Sequence, residues 1–239
     1  MRLRVAGALL GATYAEDGMA TKHNADFLRQ PRFATAYRLS RAQTGFDGDI
    51  RWRAYVACWL AERGAGLAGD FVECGVYRGF LSLTIMKYLN FERMIDRSFY
   101  LLDTFRGVVS SMVTEEERRL GATHALCGVD TYEDVYPDVV STFREFSNVR
   151  VIRGTVPDTL NQVSSERICY LSLDMNNAAP EIAAAEHFWD RLVPGAAILL
   201  DDYGWSQHIV QKRAFDGFAS RFGVGILTLP TGQGLILKP

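Results

Sequence analysis

The sequence predicts an α/β fold: a doubly wound, seven-stranded, mostly parallel sheet that ends in an antiparallel hairpin, with a helical cap at the N-terminus. Three observations predict it. From Asp70 onward, short apolar runs alternate with amphipathic stretches. Each run is followed closely by Gly or Asp, which suits strands buried on both faces of a parallel sheet. The last two runs instead flank Pro230-Thr231-Gly232-Gln233-Gly234 and read as a hairpin.

Taken in order, residues 1–66 read as helical and irregular. Arg51 to Ala61 has apolar residues at helical spacing, and Gly64 and Gly66 end it. The expected division is a helical cap or lid over residues 1–66 and one main domain over residues 67–239. Strands are expected at Phe71 to Cys74, Phe99 to Leu102, Val149 to Ile152, Ile168 to Leu173 and Ala196 to Leu200. Helices are expected at Leu81 to Tyr88, Tyr132 to Phe146, Glu181 to Leu192 and Gln207 to Phe222, the last with Phe215, Phe218 and Phe222 on one stripe. Gly225 to Leu229 and Leu235 to Lys238 form the hairpin. The loop Val108 to Tyr132, together with the N-terminal segment, is expected to close over a substrate. Within it, Glu115 to Arg119 reads as a solvated helical turn.

Composition narrows the function. Lys and Arg number 26 against 28 Asp and Glu, a net charge of −2 over 239 residues, so there is no basic field for nucleic acid. Hydrophobic residues are 48% and charged residues 23%, values of a globular rather than a disordered chain. No apolar run reaches about 18 residues, so no membrane-spanning helix is expected. Cys58, Cys74, Cys127 and Cys169 are far apart and show neither metal nor disulfide spacing. Cys74 and Cys169 read as small buried thiols. The start, from Met1 and Arg2 to Leu10, imitates a secretion leader. It is short and broken by Gly7 and Gly11, so retention and a cytoplasmic location are expected. Lys22, Arg29, Arg32, Arg38 and Arg41 form a solvated face or attract an anionic substrate.

Ligands of an open α/β sheet lie at the C-terminal strand ends, so the residues after each strand carry the functional signal. After the first comes Glu73-Cys74-Gly75-Val76-Tyr77-Arg78-Gly79. Gly75 permits a tight turn, and Gly79 lets the next helix approach closely. The full Gly-x-Gly-x-x-Gly pattern is absent, which argues against ordinary NAD binding. After the second, Asp103 and Thr104 open Asp103-Thr104-Phe105-Arg106-Gly107, where an acid can accept hydrogen bonds from a ribose diol. After the third, Arg153-Gly154-Thr155-Val156-Pro157 can flank an adenine edge. Together these turns indicate a nucleoside-containing ligand. Asp174 ends the fourth strand, and Asp201 and Asp202 end the fifth. Neighbouring strands lie about 4.8 Å apart, so the three carboxylates can converge, and all-oxygen ligands favour Mg²⁺.

The ordered motifs ECGVYRG, LLDTFRG, RGTVPDTL, LSLD and LLDDYG resemble the macrocin O-methyltransferase (TylF-type) family of Rossmann-like class I methyltransferases. The resemblance covers about residues 70–238. It implies methyl transfer from S-adenosylmethionine to a sugar or glycan hydroxyl, assisted by Mg²⁺. It further implies that Glu73, Gly75, Tyr77 and Gly79 shape the methionine end of the cofactor site, that Asp103 holds the ribose, and that Asp174, Asp201 and Asp202 hold the metal. The family carries an acid two residues after the first metal ligand, a candidate general base. Here that position is Asn176, which cannot accept a proton. His208, just past Asp202-Tyr203-Gly204, is the expected substitute base. His187, beside Phe188 and Trp189, reads as a packing residue. Alternative readings are methyl transfer to an amine or carboxylate, or a cofactor-binding protein without catalysis. A homo-oligomer is expected, with Trp52 and Tyr55 as exposed aromatics consistent with it.

Overall fold

The computed structural model describes residues 11–121 and 133–239. Residues 1–10 and 122–132, the latter holding His124, Cys127 and the last part of the Val108–Tyr132 loop, lie outside the described residues. A small hairpin, β1 (Tyr14–Glu16) and β2 (Met19–Thr21), precedes helices α1 (Pro31–Thr44) and α2 (Arg51–Ala65). The main sheet follows: β3 (Asp70–Cys74), α3 (Phe80–Leu89), β4 (Phe99–Asp103), α4 (Glu115–Leu120), α5 (Tyr136–Phe143) and β5 (Val149–Arg153). It continues through β6 (Ile168–Leu173), α6 (Ala178–Phe188), β7 (Leu192–Leu200), α7 (Ile209–Phe222), β8 (Leu227–Thr228) and β9 (Gly234–Leu237).

The sheet order is β5-β4-β3-β6-β7-β9-β8. Pairs β3–β4, β3–β6, β4–β5 and β6–β7 are parallel, whereas β7–β9 and β8–β9 are antiparallel. The switch point therefore falls between β3 and β6, where successive connections leave to opposite sides. Strand alternation divides the core. Phe71, Leu101, Tyr170 and Leu199 face one helical layer, with Ala54, Cys58 and Leu60 of α2 and Leu83 of α3. Val72, Leu102, Leu171 and Ile198 face the other, with Ala184 and Phe188 of α6 and Phe215 and Phe218 of α7. Cys58, Cys74 and Cys169 are buried free thiols.

Three expectations need correction. The N-terminal segment is not helical and irregular throughout, because Asp17 and Gly18 turn a β-hairpin with positive φ at both positions (49° and 75°). This is the geometry that an Asp-Gly hairpin turn adopts. Helix α2 packs directly on the main sheet. Trp52 and Tyr55 are not exposed aromatics. They pack against Phe27, at 4.8 Å and 4.4 Å between ring centroids, and Trp52 meets Tyr14 edge-on at 5.1 Å. Finally, the Glu115–Arg119 turn is not fully solvated. Glu117 is buried, accepts from Thr114 in a capping box, and accepts from the Ala178 amide at 2.8 Å. One carboxylate thus caps α4 and supports the start of α6. Among the described residues, no helix is long and apolar enough to cross a membrane.

Candidate functional site

A cavity of about 480 Å³ opens at the C-terminal ends of β3 to β7. Its size falls in the usual range of small-molecule sites. Glu73, Gly75, Tyr77, Asp103, Thr104, Gly154, Val156, Asp174, Asp201, Asp202 and His208 all line it. Of the residues singled out, Gly79 alone does not. It sits at the N-cap of α3 with φ of 80° under the Phe143 ring, so its contribution is close packing. None of the five N-terminal cations lines this cavity. Arg29 pairs with Asp26, Arg32 with Glu62 and Arg41 with Asp49.

Three turns on the rim each hold a non-glycine residue at positive φ: Tyr77 (50°), Phe105 (57°) and Asn176 (61°). Such conformations persist only where their surroundings over-determine them. Asp103 does so for two of them. Its Oδ2 accepts from the amides of Val76 (2.5 Å) and Tyr77 (2.8 Å), and its Oδ1 from the amide of Phe105 (2.6 Å) and the Thr104 hydroxyl (3.3 Å). A carboxylate has about four acceptor sites. Asp103 therefore ties the first two strand-end turns together, a role separate from the ribose contact expected of it. Gly75 lies where β3 meets β6: at φ of 92°, a Cβ there would overlap the Asp174 carbonyl.

Glu73 is buried, and the Ser82 hydroxyl donates to its Oε2. Burial pushes its carboxyl up to about 8. A second buried acid, Glu181, accepts at Oε1 from the Met175 amide and from Gln211 Nε2, both at 2.9 Å. Burial, with Asp202 nearby, pushes it up to about 8 as well. Between the ordinary glutamate range and pH 8 the folded state keeps a proton that the unfolded chain has lost. Its stabilising share is therefore complete at low pH and falls as pH rises through that window. Glu181→Gln keeps the acceptor oxygen but has no proton to lose. Its melting temperature is expected to match wild type near pH 5 and to exceed it near pH 9. Equal melting curves at both pH values, read by calorimetry, contradict this.

His208 is buried. Its Nδ1 meets Gln211 Oε1, while Gln211 Nε2 is committed to Glu181. The Gln211 oxygen can only accept, so Nδ1 carries the hydrogen and the lone pair of the neutral ring sits on Nε2. Nε2 lies 3.7 Å from Asp202 Oδ2, an atom that is buried without a hydrogen-bond partner. His187 packs edge-on against Phe188, as expected.

The acid end holds a residue that sequence reasoning passed over. Arg53 of α2 is 9% exposed and lines the cavity. Its Nε donates to Asp17 Oδ2 at 2.9 Å, its Nη1 pairs with Asp201 Oδ2, and Nη1 lies 3.7 Å from Asp202 Oδ1. Burial opposes its charge, but Asp201, Asp17 and Asp202 outweigh burial and hold its pKa above the ordinary value. The signal was present: Arg53 occupies the apolar stripe of α2 with Ala57, Leu60 and Ala61, and a buried arginine requires buried acids. The Asp17-Gly18 dipeptide was a second signal, for the hairpin whose tip reaches the same cavity.

Asp174, Asp201 and Asp202 do converge on one end, and burial followed by mutual repulsion raises the carboxyls of Asp174 and Asp202. As arranged, they do not fit a magnesium ion. Asp201 spends Oδ2 on Arg53 and Oδ1 on Gln233, at 2.9 Å from Nε2. Among the described residues, no group of three or more His, Cys, Asp or Glu side chains is placed to hold a metal ion. A guanidinium stands where the sequence reading put the metal.

The strand order, the terminal hairpin and a cavity at the switch point define the class I methyltransferase architecture. The chain belongs to the macrocin-O-methyltransferase (TylF) family, which matches residues 4–224. It is 26% identical over 145 residues to the mycinamicin III 3''-O-methyltransferase of Micromonospora griseorubida, covering 58% of this chain and 56% of that protein. It is 27% identical over 167 residues to an 8-demethyl-8-(2,3-dimethoxy-alpha-L-rhamnosyl)-tetracenomycin-C 4'-O-methyltransferase of Streptomyces olivaceus, covering 66% and 61%. The matches thus span less than two thirds of either relative. The fold is similar to that of the O-methyltransferase NovP, with a TM-score of 0.66 at 21% identity over 78% of this chain and 79% of that one. It is also similar to the calicheamicin methyltransferase CalS11, with a TM-score of 0.60 at 13% identity over 90% and 94%.

Proposed function

We propose that this chain transfers the methyl group of S-adenosylmethionine to a hydroxyl of a sugar or glycosylated small molecule. One observation carries the reading. A single cavity joins the turns after β3, β4 and β5 to a buried histidine whose free ring nitrogen is fixed by its neighbours. The family and the named activities of the relatives supply the donor and the acceptor class.

The residues present fit the cofactor. Gly75 and the turns after β3 and β4 line the cavity, and buried Glu73 offers a carboxylate to an ammonium group. When bound, the cofactor supplies an already activated methyl, so the protein's task is positioning and proton removal. Val76, Tyr77 and Val156 would bound the donor end, with Gly154 giving backbone access. At the other end, His208 Nε2 takes the hydroxyl proton as the acceptor oxygen attacks. The imidazolium then faces Asp202, and Gln211 and Glu181 hold its Nδ1–H side. Asn176 lines the cavity without taking a proton. The Mg²⁺ expected from the resemblance enters no step, because Asp201 is taken by Arg53 and Gln233. A homo-oligomer remains part of the proposal, to be read by light scattering.

Calorimetry with S-adenosylhomocysteine tests the shared premise. One-to-one binding is expected, strengthening as pH rises towards about 8, where Glu73 becomes an anion that pairs with the ligand's ammonium. Glu73→Gln is expected to bind more weakly and to flatten that pH dependence. Wild-type protein that takes up no ligand at any pH sinks the reading. Intact-mass screening of deoxysugar-bearing acceptors then identifies the hydroxyl, and an amine-only product would favour a different acceptor class.

A further inference from the structure

We propose that Arg53 is the resident cation of the acid cluster, and that a divalent ion enters this site only by displacing it. Asp174, Asp201 and Asp202 converge from the ends of β6 and β7, and Asp17 reaches them from the tip of the β1–β2 hairpin. Four carboxylates in one buried region require positive charge. Arg53 supplies it from α2, and does so by spanning: Nε holds Asp17 while Nη1 holds Asp201 and lies 3.7 Å from Asp202. The rigid guanidinium fork suits this, because its donors reach two carboxylates at once. The Trp205 ring lies over the group, with the guanidinium carbon 5.5 Å from the ring centroid. Asp202 Oδ2 is buried without a hydrogen-bond partner.

A divalent ion and this guanidinium are alternatives rather than companions. Both draw on the charge of Asp201, whose two oxygens already accept from Arg53 and Gln233. A metal at normal carboxylate distance would also sit beside a buried positive charge that has nowhere to disperse. Displacing Arg53 has a further consequence. It breaks the link between Asp17 and Asp201, so ion entry uncouples the hairpin tip from the strand ends. The inference concerns cation occupancy and depends on no step of methyl transfer.

Titration of chelator-stripped, full-length protein with Mn²⁺, followed by electron paramagnetic resonance of the free ion, tests it. Arg53→Met is expected to bind Mn²⁺ about tenfold or more tightly than wild type. Arg53→Lys retains one charge but cannot span Asp17 and Asp201, so a smaller tightening is expected; this variant keeps the test decisive if Arg53→Met fails to fold. Added guanidinium ion should weaken Mn²⁺ binding to Arg53→Met by refilling the vacated position. Equal Mn²⁺ affinity in wild type and every folded variant, whether strong or weak, overturns the proposal. Calorimetry with S-adenosylhomocysteine on the same samples reports the cofactor reading separately, and its failure would leave the metal result standing.

Discussion

Replacing Gly75 by alanine is expected to cost about 4 kcal/mol or more of folding stability and to remove binding of S-adenosylhomocysteine. Two effects add. The backbone at this position has φ of 92°, a region that residues with a Cβ rarely enter. The new methyl would also overlap the backbone carbonyl of Asp174, which cannot rotate away as a side chain can. Relief requires β3 and β6 to part at the point where the Asp174 amide donates to the Cys74 carbonyl at 2.8 Å. Gly75 and Asp174 both line the cavity in which the cofactor is proposed to bind. Gly217→Ala is the matched control. Gly217 lies inside α7 with open space around it, so alanine there should stabilise by about 1 kcal/mol. Urea unfolding of both variants separates a particular requirement at residue 75 from a general response to added methyl groups. Wild-type stability in Gly75→Ala would contradict the geometry.

His208→Ala is expected to lower kcat by about 10²–10⁴-fold with the acceptor that screening identifies, while cofactor affinity stays near wild type. A general base must be neutral to accept a proton, so wild-type activity should rise with pH on its acid side. That rise should disappear in the variant. The arrangement around the ring makes this a demanding test. Glu181 fixes the Gln211 amide, and Gln211 fixes the ring tautomer, so Nε2 alone is available. His208→Gln preserves much of the packing without supplying a base, and should be as slow as His208→Ala. An unaltered pH–rate profile in either variant removes His208 from the proton path.

The five parallel strands could be read from the sequence because each is a short apolar run closed by a turn residue, a local pattern that burial on both faces imposes. Ile168–Leu173 has the expected bounds, whereas β7 begins at Leu192 rather than Ala196. The cavity was legible for the same reason: in this topology, residues after strands share one rim. What could not be read is the division of labour among charges. Arg53 and Asp201 are separated by 148 positions, so nothing local announces their pairing. Asp103 stood in the right place, but its four acceptor bonds depend on where two separate turns fall. Glu117 sits in a run of charges that looks solvated. Its burial becomes visible only once the Ala178 amide is found above it. Asp17 and Gly18 were the exception, since a hairpin signal was present in the dipeptide itself.

The switch point between β3 and β6 has a consequence for how such a protein can change over time. Turns that follow β3, β4 and β5 line one end of the cavity, and those that follow β6 and β7 line the other. Within the first group a single carboxylate, Asp103, braces the turns after β3 and β4, which have little room to drift. The second group is held through Asp201 by Arg53 of α2 and by Gln233, and through the Ala178 amide by Glu117 of α4. In the proposed reading, the donor end is the inherited half and the acceptor end the adaptable half. Asn176, where the resemblance implies an acid, follows β6 and so lies in the second group. A lineage built this way can exchange one sugar for another, or one base for another, while the machinery that presents the methyl group stays as it was.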